Sequence, residues 1–306
     1  MSLPDNTHYL LVVIGPTAIG KTALAIQLAQ HFQCEIISCD SRQFFKEMTL
    51  GTAVPSPEEL AAVPHHFIQH ISIQDSYSVG DFERDAIAHL DRLFEKNKVQ
   101  VMVGGSGLYV NAILEGLDEF PDIDPRIREE LNQTLEEKGL PYLQAQLKEL
   151  DPVHYEKVAL DNPQRVTRAL EVSIGTGQPY SSFLAKKKVK RNFVPIVIGL
   201  EAPREMMYER INKRVDLMLQ GGLLEEVKAL LPYQQLNALQ TVGYRELFHY
   251  FNGEGTLEEA IEEIKKNTRR FAKRQITWFK RTPNATWYGY QTDPKQIIDA
   301  ITKQLN

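Results

Sequence analysis

Apolar positions along this chain follow two different periods. Tyr9 to Ile14 is an unbroken apolar run, the pattern of a strand buried on both faces. Lys21 to Phe32 then changes to helical spacing, with Leu24, Ala25, Leu28, Ala29 and Phe32 along one side. Glu35 to Ser38 predicts a second strand. Asp81 is a candidate cap for a helix running through Phe94, whose buried face would carry Ala86, Ile87, Leu90 and Phe94. Val99 to Val103 predicts a third buried strand, closed by the turn Gly104-Gly105-Ser106-Gly107. Strands alternating with helices imply a parallel sheet with right-handed crossovers, hence an α/β fold.

The rhythm changes after Leu117. From about Phe120 to Arg191 the patterns are helical, punctuated by Pro121, Pro125, Pro141, Pro152, Pro163 and Pro179. The stretch ends in Lys186-Lys187-Lys188-Val189-Lys190-Arg191, expected to be a mobile basic loop. A buried strand resumes at Phe193 to Gly199. The economical organisation is an α/β core over 1–118 and 192–306, with a mainly helical insertion over 119–191.

A last long helix is predicted from Leu257 to Lys280. Ile261, Ile264, Phe271, Ala272, Gln275, Trp278 and Phe279 share one arc of its wheel. Lys265, Lys266, Arg269, Arg270, Lys273 and Arg274 occupy much of the other side. Eight basic and no acidic residues lie between Lys265 and Arg281. A solvated charged face would look similar, but charge of one sign also suits a nucleic acid.

Composition narrows the classes. The chain has 306 residues, 42% hydrophobic and 25% charged, an ordinary globular balance. No apolar run approaches the roughly 20 residues that span a bilayer, and the first nine residues carry neither a basic start nor a processing site. No membrane partner is expected, and the cytoplasm is the expected compartment. Cys34 and Cys39 fit neither a zinc pattern nor a disulfide framework; as flanks of one strand they would face opposite sides. The formal net charge of −5 means that any nucleic acid must be held by a local patch.

The sharpest chemical signal is Gly15-Pro16-Thr17-Ala18-Ile19-Gly20-Lys21-Thr22, which matches the phosphate-binding loop at every required position. Its backbone N–H groups converge on phosphate oxygens, and the following helix adds its N-terminal dipole. Lys21 supplies a point charge and Thr22 a hydroxyl ligand for Mg2+. A nucleotide hydrolase would place an acidic Mg2+ ligand after a core strand, whereas Val99 to Val103 ends in glycines. The acidic residue instead follows the second strand: Asp40, at the carboxyl end where α/β sheets bind ligands. The alternative reading is an ordinary turn or capping aspartate. Arg210 and Arg214, four apart on a helix, could close over a diphosphate or form surface ion pairs with Glu205, Glu209 or Asp216. Arg165 and Arg168 carry the same ambiguity. His65 and His66 lack ligand partners at metal spacing, which favours a structural role.

These segments together resemble the bacterial tRNA dimethylallyltransferases, also called tRNA isopentenyltransferases, the IPP transferase family. Besides the loop, the resemblance runs through Asp40-Ser41-Arg42-Gln43, Met48 to Ala53, Pro64-His65-His66, Tyr77 to Phe82 and Val103 to Tyr109. It continues through Asn162 to Glu171, Val242-Gly243-Tyr244-Arg245-Glu246 and Lys273 to Trp278, so it covers essentially the whole chain. It implies a P-loop NTPase-like, kinase-like core and an insertion that grips the anticodon stem-loop. The implied reaction moves a dimethylallyl group from dimethylallyl diphosphate to N6 of adenosine 37 beside the tRNA anticodon, releasing diphosphate.

By the same resemblance, Asp40 is the general base, Arg214 the diphosphate clamp with Arg210 second, and Thr17 a further diphosphate contact. The implied tRNA contacts are Asp40, Ser41, Arg42 and Gln43; Ser106; Arg128; Gln164, Arg165, Val166, Thr167 and Arg168; and Val242 to Glu246. Mg2+ is the implied cofactor, and nothing calls for more than a monomer. Aspartate-rich Mg2+ motifs of other allylic-diphosphate enzymes are absent. Three positions depart from the family pattern: Ser106 stands where threonine is usual, Phe45 where tyrosine is common, and Val54 where lysine is common. The C-terminal zinc finger of eukaryotic relatives is also absent. A P-loop small-molecule kinase and an adenylate isopentenyltransferase acting on free nucleotides are the competing readings. The insertion and the basic helix have no evident use in either.

Overall fold

The computed structural model describes residues 7–184 and 189–305. Lys186, Lys187 and Lys188 of the expected basic loop lie outside the described residues. By compactness the chain divides into two units, Met1–Leu114 with Arg191–Asn306, and Glu115–Lys190. The insertion thus begins four residues before the expected position and ends one before it.

The larger unit is built on six strands: β1 (His8–Ile14), β2 (Ile36–Ser38), β3 (His65–His66), β4 (Val99–Val103), β5 (Phe193–Glu201) and β6 (Thr286–Gly289). Their spatial order is β3-β2-β4-β1-β5-β6, and every pairing is parallel. Helix α1 (Lys21–Phe32) follows β1; α2 (Pro57–Ala62) and α3 (Val79–Phe94) precede β4, and α4 (Gly107–Glu115) follows it. The insertion contributes α5 (Pro125–Lys138), α6 (Leu140–Leu150), α7 (Pro152–Tyr155) and α8 (Pro163–Thr176). After β5 come α9 (Arg204–Gln220), α10 (Leu223–Ala229), α11 (Tyr244–Phe251), α12 (Leu257–Phe279) and, beyond β6, α13 (Pro294–Leu305).

Parallel strands covered by helices on both faces must be apolar throughout, and β1 obeys this. Leu11 and Val13 face a layer with Leu24, Leu28 and Ile297, while Leu10, Val12 and Ile14 face one with Phe82, Leu90 and Phe279. Cys34 belongs to the first layer and Cys39 to the second, as the period of two predicts. The insertion has its own core, in which α5, α6 and α8 meet through Leu131, Leu143, Leu147, Val166 and Leu170.

Four local outcomes differ from the sequence reading. Ser78, not Asp81, caps α3; Asp81 is the third helical residue, and the two close a reciprocal capping box. The two-residue strand β3 is formed by the His65–His66 pair at the sheet edge, with Glu35 2.5 Å from His66 Nε2. A strand this short carries no period to read. Near the chain's end, β6 pairs with β5 through Thr286 to Gly289, another short segment without alternation. Finally, Arg191 is no loose loop cation. It pairs with Glu83 at 2.5 Å and donates to the carbonyls of Ala112 and Ile113 at the end of α4.

Candidate active site

All the chemically marked segments of the core leave the same end of the sheet. The loop with Lys21 follows β1, Asp40 follows β2, Gly104 to Ser106 follow β4, and the helix with Arg210 and Arg214 follows β5. Parallel order therefore gathers them at the carboxyl ends of neighbouring strands, where a ligand meets diverging loops.

The loop itself is shaped by contact with β5. A Cβ on Gly15 would lie 2.7 Å from the carbonyl oxygen of Leu200, so only glycine fits there. Gly20 caps α1 in the left-handed region, with φ of 106°. Lys21 folds its ammonium back onto the Pro16 carbonyl at 2.8 Å. Burial lowers the Lys21 pKa from 10.5 to about 8, against the opposing pull of Asp40 and with the help of Arg214.

Both candidate arginines reach the loop. Arg214 donates to the Thr17 hydroxyl at 2.6 Å and Arg210 to the Ala18 carbonyl at 2.8 Å. Their environments differ. Arg214 is partly covered and lines a cavity with Thr17 and Asp40, and burial lowers its pKa. Arg210 is exposed, lies against Tyr290 at 5.9 Å, and is not among the cavity residues. Neither forms the alternative surface ion pair with Glu205, Glu209 or Asp216; Asp216 pairs instead with Lys265 at 2.9 Å.

That cavity encloses about 450 Å³. Its lining is mixed: Thr17, Asp40, Ser106 and Arg214 are polar or charged, and Val215, Met218, Leu223 and Ile264 are apolar. Asp40 accepts a hydrogen bond from the Arg42 N–H at 3.1 Å, which orients its carboxylate. Ser106 Oγ accepts from the Ser41 N–H at 3.0 Å, tying the loop after β4 to the loop after β2. This bond needs only a hydroxyl, so serine serves where the family usually has threonine. At the rim, Phe271 and Trp278 are 39% and 37% exposed, with Arg274 between them on α12. The arc predicted for α12 is thus buried at Ile264, Ala272, Gln275 and Phe279 and exposed at Phe271 and Trp278.

The remaining expected RNA contacts divide sharply. Arg42 anchors to the Asn237 and Ala238 carbonyls at 3.2 and 2.9 Å, yet also lines the cavity. Gln43 points away from it, donating to the Thr52 and Ala53 carbonyls at 3.2 and 2.8 Å. Val242, Gly243 and Arg245 line the cavity, whereas Tyr244 and Glu246 are buried. Tyr244 donates to Glu226 at 2.6 Å, and Glu246 accepts from the Gly243 N–H and Asn267, both at 2.8 Å. In the insertion, the side chains of Val166 and Thr167 are buried. The same helix presents Gln164 and Arg165 to solvent. Arg128 pairs with Glu171 at 3.1 Å and Gln164 at 2.6 Å, and Arg168 shares that Glu171 at 2.9 Å.

The basic side of α12 is also partly engaged. Lys265 pairs with Asp216, Lys266 with Glu263, Lys280 with Glu201, and Arg269 donates to Asn212 at 2.8 Å. Lys273, Arg274 and Arg281 are exposed.

Two residues at the site escape sequence reading. Gln275 accepts from the Thr17 N–H and donates to the Gly105 carbonyl, both at 2.8 Å. Its signals are a polar residue on a buried arc, which must find partners, and a place in the Lys273-to-Trp278 segment. Glu226 accepts from the N–H groups of Leu50 and Gly51 at 2.7 and 3.0 Å as well as from Tyr244. It thereby holds the Met48-to-Ala53 loop beside the cavity, and no local pattern announces it.

Comparison with known proteins places this geometry. Residues 43–282 match the sequence pattern described as IPPT, IPP transferase. The chain is similar to the tRNA dimethylallyltransferase of Flavobacterium johnsoniae, 61% identical over 303 residues that cover 97% of this chain and 98% of that protein. Among solved structures it resembles the full-length tRNA isopentenylpyrophosphate transferase of Bacillus halodurans at 36% identity, covering 98% and 97% of the two chains, with a TM-score of 0.73. It also resembles a eukaryotic dimethylallyltransferase captured acting on tRNA, at 26% identity and a TM-score of 0.82, covering 97% of this chain and 79% of that one. The chain therefore belongs to the IPP transferase family.

Proposed function

We propose that this chain transfers a dimethylallyl group from dimethylallyl diphosphate to N6 of adenosine 37 in tRNA, releasing diphosphate. One observation carries the reading: Asp40, Thr17 and Arg214 line one cavity together with the apolar side chains of Val215, Met218, Leu223 and Ile264. A kinase needs a phosphate loop and an acceptor, but has no use for an apolar wall of this extent beside its base.

The chemistry follows from the placement. N6 attacks the first carbon of the donor, the carbon–oxygen bond breaks, and diphosphate leaves with the bonding pair. An allylic carbon tolerates the positive charge that develops, so stabilising the leaving group lowers the barrier most. The N–H groups of the loop from Ala18 to Thr22, Lys21 and Arg214 supply that stabilisation, with Arg210 bracing the loop from outside. Asp40 takes the proton released from N6. The adenosine must leave its stack to reach this depth, and Phe271, Trp278 and Arg274 give the rim aromatic and cationic surfaces suited to RNA.

Among the described residues no group of three or more His, Cys, Asp or Glu side chains could cage a metal. Mg2+ keeps its waters and binds mainly through substrate phosphates. Thr22 would give it one hydroxyl ligand, and the bound ion would offset diphosphate charge. The insertion presents Arg165 and Gln164 to the anticodon stem-loop. No helix among the described residues is long and apolar enough to cross a membrane, and we place the reaction in the cytoplasm. Thr17, Asp40 and Arg214 all come from one chain, and we propose that it acts as a monomer.

The test offers labelled dimethylallyl diphosphate to unmodified tRNA and, separately, to AMP. Label entering tRNA alone is expected. Transfer to AMP, or ATP turnover without prenyl transfer, would defeat the reading.

A further inference from the structure

We propose that Gln275 is a positioning residue for prenyl transfer, setting the register between the loop that holds the diphosphate and the loop that faces the adenosine. The inference rests on the reaction proposed above.

Gln275 projects from α12 and is 5% exposed. Its single amide makes one bond to each loop: Oε1 accepts from the Thr17 N–H, and Nε2 donates to the Gly105 carbonyl, each at 2.8 Å. Thr17 follows β1 and Gly105 follows the neighbouring strand β4. Past Gly105, Ser106 receives the Ser41 N–H at 3.0 Å, next to Asp40. An unbroken line of contacts therefore joins the leaving-group side to the base. The crowding above Gly105 shows how closely the groups are set. A Cβ there would lie 2.4 Å from Gln275 Nε2 and 3.5 Å from Asp40 Oδ2.

The arrangement demands an amide. One planar group must accept from an N–H on one edge and donate to a C=O on the other, and glutamine offers both. An ionised glutamate accepts only, and methionine does neither. Reacting atoms must be held at about 3–3.5 Å, and a misplacement of about 1 Å can cost about 10²-fold in rate. A brace between the two loops acts on that distance, not on the affinity of either substrate.

Single-turnover transfer to unmodified tRNA, at saturating dimethylallyl diphosphate, separates the two effects. For Gln275→Met, the rate is expected to fall at least about 10-fold, with both substrate affinities within about threefold of wild type. Gln275→Glu gives a signature that a mere stabilising brace would not. Its protonated carboxyl can donate to Gly105 and accept from Thr17, so its rate relative to wild type is highest at acid pH. Above the carboxyl's pKa, that rate falls by about 10-fold. A Gln275→Met rate within about twofold of wild type, or a loss confined to substrate affinity, overturns the proposal. So does a Gln275→Glu profile parallel to wild type. If only Gln275→Met fails to fold, the pH profile decides alone; if neither variant folds, Gln275 is a structural brace and the proposal falls. A wild-type protein that transfers nothing to tRNA refutes the function itself, an outcome distinct from active wild type with indifferent variants.

Discussion

The guanidinium of Arg214 meets the hydroxyl of Thr17 at 2.6 Å, while Arg210, one turn earlier, meets the backbone carbonyl of Ala18. A helix turn thus sets one cation inside the cavity and one outside it. Removing a donor aimed at developing charge costs about 10²–10³ in turnover. Arg214→Ala is expected to lose that much, and Arg214→Lys to recover part of it as a point charge without the fork. Arg210→Ala should lose only a few-fold. Steady-state transfer to tRNA measures both, and equal losses would contradict the assignment.

Asp40 is oriented by the Arg42 N–H and faces the same cavity. General-base catalysis is worth about 10²–10⁴-fold. Asp40→Asn keeps the shape and the bond from Arg42 but cannot take a proton. Transfer is expected to fall by that factor while tRNA affinity stays measurable; near-normal turnover would remove Asp40 from the role.

The legible parts of this molecule were those in which a local pattern carries the whole constraint. β1 and β4 read directly because burial on both faces forces continuous apolarity, and α1 reads because its bounds are a phosphate loop and a change of period. Asp40 was placed by its position after a strand. What stayed hidden depends on contact between distant segments. Glu226 is ordinary on its own helix and matters only because the Met48-to-Ala53 loop folds onto it. Gln43 and Tyr244 look like RNA contacts in a motif, yet their polar atoms are used within the protein. The motif marked a region, and burial decided which of its side chains face outward.

Tyr244 offers a test of that distinction. It is fully buried, and its hydroxyl donates to Glu226 at 2.6 Å. Burial and the nearby Glu226 raise its pKa, so it remains a donor across the working range. Tyr244→Phe removes one bond while Glu226 keeps its backbone partners. A loss of about 1–2 kcal/mol in urea unfolding is expected, with tRNA affinity little changed. A large affinity loss at unchanged stability would instead make Tyr244 an RNA contact.

Arg165 and Val166 are neighbours on α8 with opposite fates, one exposed and one in the core of the insertion. Arg165→Ala is expected to weaken tRNA binding and reduce the slope of log affinity against log salt by about 1, as for one lost phosphate contact. Val166→Ala should lower thermal stability and leave that slope alone. Binding titrations at several salt concentrations decide, and an unchanged slope for Arg165→Ala would remove it from the interface.

Lys21 links the site to pH. Burial lowers its pKa from 10.5 to about 8, so the free protein holds it only half protonated near pH 8. A bound diphosphate favours the charged form and raises that pKa again. Binding near pH 8 should therefore take up a substantial fraction of a proton, and affinity should weaken as pH rises further. In the absence of ligand the sign is opposite. The unfolded chain binds more protons between about pH 8 and 10.5, so this group makes the folded state more stable as pH rises through that window. Calorimetric titration of diphosphate at pH 8, in buffers of different ionisation enthalpy, reads the uptake directly. Lys21→Met should abolish it and weaken binding, while a wild-type signal independent of buffer would show that Lys21 is already charged in the empty loop.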